Sequence, residues 1–121
     1  MARYVDGFVL PLPTRNREKY LRMARISSKV WMEYGALEYV EAFADDVKPG
    51  KVTSFPQSVK LKKGETVVFA YVTYKSRKHR DQVLAKVMKD PRMVAMMDPK
   101  KHPFDAMRMF WGGFKSVVDV R

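Results

Sequence analysis

The chain has 121 residues, no cysteine and only two histidines, and its lysines and arginines outnumber its aspartates and glutamates by 24 to 13. This length encloses one hydrophobic core, so we expect a single domain over residues 1–121. The lack of cysteine excludes disulfides, thiolate metal sites and a cysteine nucleophile, and the sequence implies neither a metal nor a cofactor. The net charge of +11 would attract polyanions but does not determine the fold.

The apolar runs have the length of strands, well short of the roughly 20 residues that a membrane-spanning helix needs. The first residues enter a strand-like pattern at once, without the apolar segment and cleavage site of a secretory signal. We therefore expect a soluble, cytoplasmic protein with no membrane partner.

The first half of the chain predicts a strand, a helix and a second strand. Residues 3–10 and 36–44 alternate with a period of two, as β-strands do. Between them an apolar stripe with helical spacing ends before Gly35, a suitable left-handed stop. The inward stripe consists of Tyr20, Met23, Ala24, Ser27, Val30, Trp31 and Tyr34. Residues 45–65 read as a long loop, with room for a short strand around Lys60.

The second half predicts a strand, a helix and a final strand. Residues 66–74 are rich in β-branched and aromatic side chains. Ser76 is a helix cap for a helix ending near Lys89, and Asp90 followed by proline starts a further helical turn through Met97. A basic loop over 98–103 leads to the fourth strand, residues 106–114.

The order β-α-β-β-α-β is that of the α+β ferredoxin-like fold, one antiparallel sheet with two helices on one face. We assign the small aliphatic residues of the strands to the face under the helices. The other, open face would then carry Tyr4, Asp6, Phe8, Tyr39, Glu41, Phe43, Phe69 and Tyr71. Because so aromatic a surface is rarely left bare, we expect a homodimer that packs these faces together.

Asp6 and Arg108 are the main candidates for chemistry on this open face. Asp6 among aromatic residues would have a raised pKa and could act as a general base, with Arg108 stabilising an anion. Alternatively, the two form a structural ion pair, because a covered charge requires a partner. His102, in the basic loop, is a third catalytic candidate or an ordinary loop residue. The predicted ligand-binding walls are Tyr4, Phe8, Tyr39, Glu41, Phe69, Tyr71 and Trp111.

The side of the sheet that Arg108 and Trp111 occupy depends on the register of the last strand. A shift of one residue would move Arg108 to the helix face and bring Trp111 to the open face.

The basic residues allow a second class of function, nucleic-acid binding. Ferredoxin-like sheets bind RNA by stacking bases on exposed strand aromatics. Here the basic residues concentrate on the predicted helices, the aromatics lie on the sheet, and the RNA-binding strand motif is absent, which argues against this function. A third alternative is a purely structural dimer whose sheet face is consumed by association.

Several separated motifs resemble the YbaA-like family of bacterial proteins. They are Tyr4–Phe8, Lys51–Thr53, Glu65–Phe69, Asp90–Met93 and the closing Pro-Phe-Asp and Gly-Gly-Phe sequences between residues 103 and 114. The resemblance covers nearly the whole chain and implies the dimeric α/β-barrel superfamily, in which two ferredoxin-like protomers set sheet against sheet. That superfamily includes cofactor-independent monooxygenases, haem-degrading enzymes, lactone isomerases and ligand-sensing modules. The resemblance supplies no catalytic residue.

We therefore expect a homodimeric α/β-barrel protein that binds a small apolar or aromatic metabolite in a cleft on the open sheet face. If it is an enzyme, the resemblance favours monooxygenase-like or isomerase-like chemistry. The sequence does not name the substrate.

Overall fold

The computed structural model describes residues 2–121 and contains four strands and four helices. The strands are β1 (Tyr4–Pro13), β2 (Glu38–Phe43), β3 (Glu65–Tyr74) and β4 (Phe110–Lys115). The helices are α1 (Arg17–Glu33), α2 (Phe55–Ser58), α3 (Arg77–Val87) and α4 (Pro91–Met96). All strand pairs are antiparallel in the order β2-β3-β1-β4. The helices α1, α3 and α4 cover one face, whereas the short α2 packs on the other through Phe55 and Phe69. This confirms the ferredoxin-like α+β fold.

Local sequence signals set the ends of the helices. The α1 helix ends in a Schellman arrangement: Gly35 has a φ of 108°, its N–H donates to the Met32 carbonyl, and Ala36 N–H donates to that of Trp31. At the start of α3 the Ser76 hydroxyl accepts a hydrogen bond from the His79 N–H at 3.1 Å. Asp90 caps α4 in the same way as Ser76 caps α3, and a proline follows it. The predicted helices therefore begin and end close to the expected residues.

In the described part of the chain, residues 2–121, no helix combines the length and the apolar character that crossing a bilayer requires.

The register of the sheet decides which side chains face the helices. Residues directly opposite one another in neighbouring strands share a face, and Asp6 lies opposite Val72 on β3 and Gly113 on β4. Asp6 also lies 3.7 Å from Arg80 of α3, so its face is the one under the helices. The helix face therefore carries Tyr4, Asp6, Phe8, Tyr39, Glu41, Phe43, Val68, Ala70, Val72 and Trp111.

The predicted assignment of faces was right for β3 and wrong for β1 and β2. The small aliphatic residues of those two strands lie on the open face, whereas their aromatic and acidic residues lie under the helices. The physical reason is partly packing, since the even-numbered set of β1 continues into Leu10 and Leu12, both almost completely buried. It is partly electrostatic, because Asp6 finds its cationic partner Arg80 only on the helix side.

The open sheet face, as the structure defines it, is largely apolar, and Glu38 and Thr73 add polar groups at one end. Its apolar residues are Val5, Gly7, Val9, Val40, Ala42, Val67, Phe69, Tyr71, Phe110, Gly112 and Phe114. One end of it is covered by the segment between β2 and β3, whose Val59 packs against Val9 and Val67. The remainder stays uncovered in the protomer, with Phe114 65% exposed.

The structure also corrects two local predictions. The last strand begins at Phe110 rather than 106, because residues Ala106–Arg108 form a 3-10 turn capped by the Asp105 carboxylate. Arg108 therefore precedes the strand instead of lying within it. The short strand considered around Lys60 is replaced by α2 and a turn in which Lys60 has a φ of 50°.

Candidate functional site

An apolar cavity of about 250 Å³ lies between the helix face of the sheet and α1, at the end of the helix layer closed by α4. Its floor is a row across three strands in which Phe8 and Glu41 lie on either side of Ala70. Its roof includes Ala24 and Ser27 of α1. Small residues on both floor and roof leave space that the surrounding aromatic side chains do not fill. The cavity is slightly smaller than the range of roughly 300–1,000 Å³ typical of ligand pockets.

The lining is dominated by two residue types. Five methionines contribute, namely Met23, Met93, Met96, Met97 and Met109, and so do five aromatic residues, Phe8, Tyr20, Trp31, Tyr39 and Phe104. Methionine side chains are flexible and polarisable, so they adapt to irregular apolar ligands. The composition fits a small apolar or aromatic molecule.

Glu41 is the acidic residue of this lining, and it is held by two phenols. The Tyr20 hydroxyl donates to one carboxylate oxygen at 2.5 Å, and the Tyr39 hydroxyl donates to the other at 2.8 Å. Burial raises the pKa of Glu41, and the two phenol hydrogen bonds oppose that rise without cancelling it. Burial and the nearby carboxylate also raise the pKa of both tyrosines. The site therefore retains a proton readily, on the carboxyl or on a phenol.

The α4 wall is held in place by a polar cluster outside the cavity. Asp90, 6% exposed, accepts hydrogen bonds from the hydroxyl of Tyr34, the residue after α1, and from the Arg92 guanidinium. These bonds hold the pKa of Asp90 well below its usual range. Because Asp90 is the cap of α4, the cluster fixes the start of the helix that carries Met93 and Met96.

His102 lies in the cavity wall, as part of the loop that joins α4 to the last strand. Its ring packs edge-on against Phe104 at 6.0 Å between centroids. Its Nδ1 atom is buried and has no hydrogen-bond partner within residues 2–121. The sequence predicted His102 as a catalytic candidate, and the structure brings it into the same cavity as Glu41.

Asp6 lies outside the cavity, in a buried cluster at the other end of the helix face. Its side chain is fully buried, and burial raises its pKa although the Arg80 charge opposes this. The Arg80 guanidinium lies 5.0 Å from the centroid of the Tyr4 ring and donates to the Tyr4 hydroxyl. With no exposed surface, Asp6 is poorly placed for the predicted role of general base, and the cluster fits a structural role.

Arg108 does not pair with Asp6, so the predicted ion pair between them was wrong. Its guanidinium instead makes a two-pronged contact with the Glu65 carboxylate at 2.8 and 2.6 Å, and it also binds Asp105. The Glu65 contact raises the pKa of Arg108 and lowers that of Glu65. The reason is the 3-10 turn before β4, which directs Arg108 toward the start of β3.

The predicted ligand-binding residues are divided between the two faces. Phe8, Tyr39 and Glu41 line the cavity. Tyr4 and Trp111 lie on the helix face but outside the lining, and Trp111 stacks on Phe8 at 6.0 Å. Phe69 and Tyr71 lie on the open face. The cavity of the protomer is therefore on the helix side of the sheet, whereas the ligand cleft was predicted on the open face.

Sequence reasoning missed most of the roof of the cavity. Tyr20, Met23, Ser27 and Trp31 were assigned to the inward stripe of α1 but treated as core. The available signal was the pair of small residues, Ala24 and Ser27, on an otherwise large apolar stripe above the small Ala70. Small residues facing one another across a layer leave a void.

Comparison with solved structures identifies the same fold in other proteins. A dimeric ferredoxin-like protein from an uncultured marine organism matches with a TM-score of 0.59 and 11% identity, covering 99% of this chain and 100% of that one. A nipsnap family protein of Agrobacterium tumefaciens gives 0.59 and 13%, covering 94% and 87%. A structure titled "Putative antibiotic biosynthesis monooxygenase from Nitrosomonas europaea" gives 0.57 and 14%, covering 95% and 90%. At these identities the likeness shows the fold.

Sequence comparison shows the family. YbaA of Escherichia coli K12 is 43% identical over 117 residues, which is 97% of this chain and 98% of that protein, and YbaA of Shigella flexneri matches equally. Residues 3–106 match the family described as "Protein of unknown function (DUF1428)". Both findings confirm the YbaA-like resemblance of the motifs, and the chain belongs to the DUF1428 family.

Proposed function

We propose that the protein binds a small apolar or aromatic molecule in the cavity and that Glu41 exchanges a proton with it. The observation that carries this proposal is a partly buried carboxyl group in an otherwise apolar, methionine-rich lining, held only by two phenols. No cation pairs with Glu41 within residues 2–121. A carboxyl with a raised pKa in such a site is suited to general acid–base catalysis.

The proposed reaction class is proton abstraction from a phenol or from a carbon next to a carbonyl. Loss of that proton to the Glu41 carboxylate gives an electron-rich anion, which is reprotonated at another atom in an isomerisation or reacts with molecular oxygen in an oxygenation. The Tyr20 and Tyr39 hydroxyls hold the carboxylate in position, and His102 adds an imidazole to the cavity wall. The monooxygenase named among the similar structures supports this chemistry at the level of the fold.

The binding half of the proposal can be tested with N-phenylnaphthylamine, a neutral aromatic probe whose fluorescence rises in apolar sites. Ser27→Trp would fill the roof of the cavity and should weaken probe binding by about tenfold or more, a loss expected for a site blocked by a buried side chain. Ser28→Trp is the matched control, because Ser28 lies on the same helix outside the lining. Equal affinities in the two variants would contradict binding in the cavity.

The chemical half can be tested by hydrogen–deuterium exchange into β-tetralone, an aromatic ketone with an acidic carbon. The wild type should accelerate exchange of the proton between ring and carbonyl, followed by NMR. Glu41→Gln should reduce the catalysed rate by about a hundredfold or more, as is usual for loss of a general base. Catalysis that survives in Glu41→Gln would remove Glu41 from the proposal.

We further propose a homodimer formed through the open sheet face. The support is the exposure of Phe69, Phe110 and Phe114, at 42, 47 and 65%, on one continuous apolar surface. The marine ferredoxin-like protein of similar fold is described as dimeric. Sedimentation velocity tests the association, and a monomer at micromolar concentration would contradict it.

A further inference from the structure

A second cavity, which we call the basic cleft, lies next to the apolar one. Its volume is about 430 Å³, and it is formed by the end of β1 with the turn after it, by the start of β3 and by the loop before β4. Its charged members are Arg15, Lys62, Lys63 and Arg108 with Glu65 and Asp105. Cations therefore outnumber carboxylates in the lining.

Both carboxylates of the basic cleft already form ion pairs. Arg108 binds Glu65 at 2.6 Å and Asp105 at 3.0 Å, which neutralises this part of the lining. Within residues 2–121, neither Arg15 nor Lys62 nor Lys63 forms an ion pair. The Lys62 charge also acts on Glu65 and Asp105. The lining as a whole still has more cations than carboxylates, and this excess of positive charge attracts an anion.

The basic cleft and the apolar cavity are separated only by a short partition. His102, Pro103 and Phe104 contribute to the walls of both. The Pro103 carbonyl accepts a hydrogen bond from the Asn16 side chain at 2.6 Å, and the Phe104 ring packs on Tyr20 at 5.9 Å. The two compartments therefore adjoin each other and share this wall. One of them is apolar and the other is cationic.

His102, a residue of this partition, has a polar atom that no other group of the described chain satisfies. Its buried Nδ1 atom is without a hydrogen bond in the described chain. A buried polar atom left in this way costs free energy unless a ligand or water satisfies it. The His102 side chain contributes to the walls of both compartments, so a ligand that occupies both lies against this residue.

We propose that the natural ligand is an amphiphilic carboxylic acid, with an aromatic or aliphatic body in the apolar cavity and its carboxylate in the basic cleft. This inference rests on the proposed function, because the body occupies the same cavity beside Glu41. The carboxylate lies within the field of Lys62, Lys63 and Arg15, and the polar end of the ligand passes His102. The carbon that loses a proton to Glu41 then belongs to the apolar end of the molecule.

Displacement of N-phenylnaphthylamine by phenylbutanoate and by its neutral analogue phenylbutanamide tests the proposal. The two compounds share the aromatic body and the spacer and differ in charge. The acid should bind about tenfold more tightly at low salt, as expected for charge-assisted hydrogen bonds. Its advantage should shrink as salt is raised.

Matched charge variants locate the preference. Lys62→Gln/Lys63→Gln should abolish the advantage of the acid and leave the amide unchanged. Lys86→Gln/Lys89→Gln removes the same charge from the exposed end of α3 and should leave both affinities unchanged. Equal binding of acid and amide in the wild type, or equal effects of the two double variants, would overturn the carboxylic acid. Absence of probe binding in the wild type would instead contradict the proposed function.

Discussion

Glu41 shows how one partly buried residue defines the candidate site. It is the acidic member of the apolar lining within residues 2–121, and its two oxygens are taken by Tyr20 and Tyr39. Burial raises its pKa above the value in the unfolded chain, so protonation favours folding. That favourable contribution is complete below the ordinary pKa of about 4.3 and is lost as pH rises through the raised value.

Glu41→Gln removes this titration and keeps the size of the side chain. As pH rises from about 4 toward 8, the thermal midpoint of the variant should therefore rise relative to that of the wild type, because only the wild type must bury a charge. Thermal unfolding at a series of pH values measures the difference. Glu18→Gln, at an exposed position of α1, is the control and should show a constant difference. A constant difference for Glu41→Gln would contradict the raised pKa.

The Arg108–Glu65 pair permits a second prediction for single residues. The two side chains are 13 and 8% exposed, so removing either leaves the other charge poorly solvated. Arg108→Met and Glu65→Gln should each lower the thermal midpoint, and the double variant should lower it by less than the sum. A double-mutant cycle by thermal unfolding measures the coupling. Strict additivity would show that the contact has no energetic weight.

At this scale the sequence identified some residues of the site but not their partners. Phe8, Tyr39, Glu41 and His102 were all predicted site residues, and all line the cavity. Arg108 was assigned the wrong partner, because a capped turn before a strand and an extra strand residue look alike in an alternating sequence. Such partnerships depend on how elements cross in three dimensions, which alternation alone does not encode.

At the level of elements, the ends of the helices were the feature that the sequence predicted best. The caps at Ser76 and Asp90 and the glycine stop at residue 35 were predicted from residue type and lie where expected. The start of β4 was not, because residues 106–109 alternate as a strand does while the Asp105 cap holds a 3-10 turn. A short-range side-chain bond there outweighs the strand pattern.

Ser76→Ala tests the contribution of one cap. Loss of the hydroxyl that accepts from the His79 N–H should cost about 1 kcal/mol of stability, the usual penalty for a lost N-cap. Chemical denaturation measures the change, with Ser76→Asp as the control that retains an accepting oxygen. If the alanine and aspartate variants were equally destabilised, the cap would not be the cause.

For the whole molecule, the order of elements was predictable and the orientation of the sheet was not. The alternation of strand and helix patterns gives β-α-β-β-α-β directly. Both faces of this sheet are mainly apolar, however. One packs on the helices, and the other is largely uncovered in the protomer. Hydrophobic alternation therefore does not distinguish the two faces, and the predicted faces of β1 and β2 were reversed.

Association through the open sheet face predicts a specific response to a charged substitution. Phe114→Glu places a carboxylate on that face and should convert the proposed dimer to a monomer, because an unpaired charge in an apolar interface is costly. Val117→Glu is the matched control, since Val117 is 93% exposed in the segment after β4. Sedimentation velocity distinguishes the two, and a Phe114→Glu dimer as stable as the wild type would contradict this interface.

The cavity between the sheet and α1 is the proposed ligand site, and the methionines provide its most direct test. Five of the nine methionines line the cavity, whereas Met32, Met88 and Met107 lie outside the lining. In an NMR titration of isotope-labelled methionine methyl groups with N-phenylnaphthylamine, the signals of Met23, Met93, Met96, Met97 and Met109 should shift while those of Met32, Met88 and Met107 stay in place. Shifts confined to Met32, Met88 and Met107 would contradict the account.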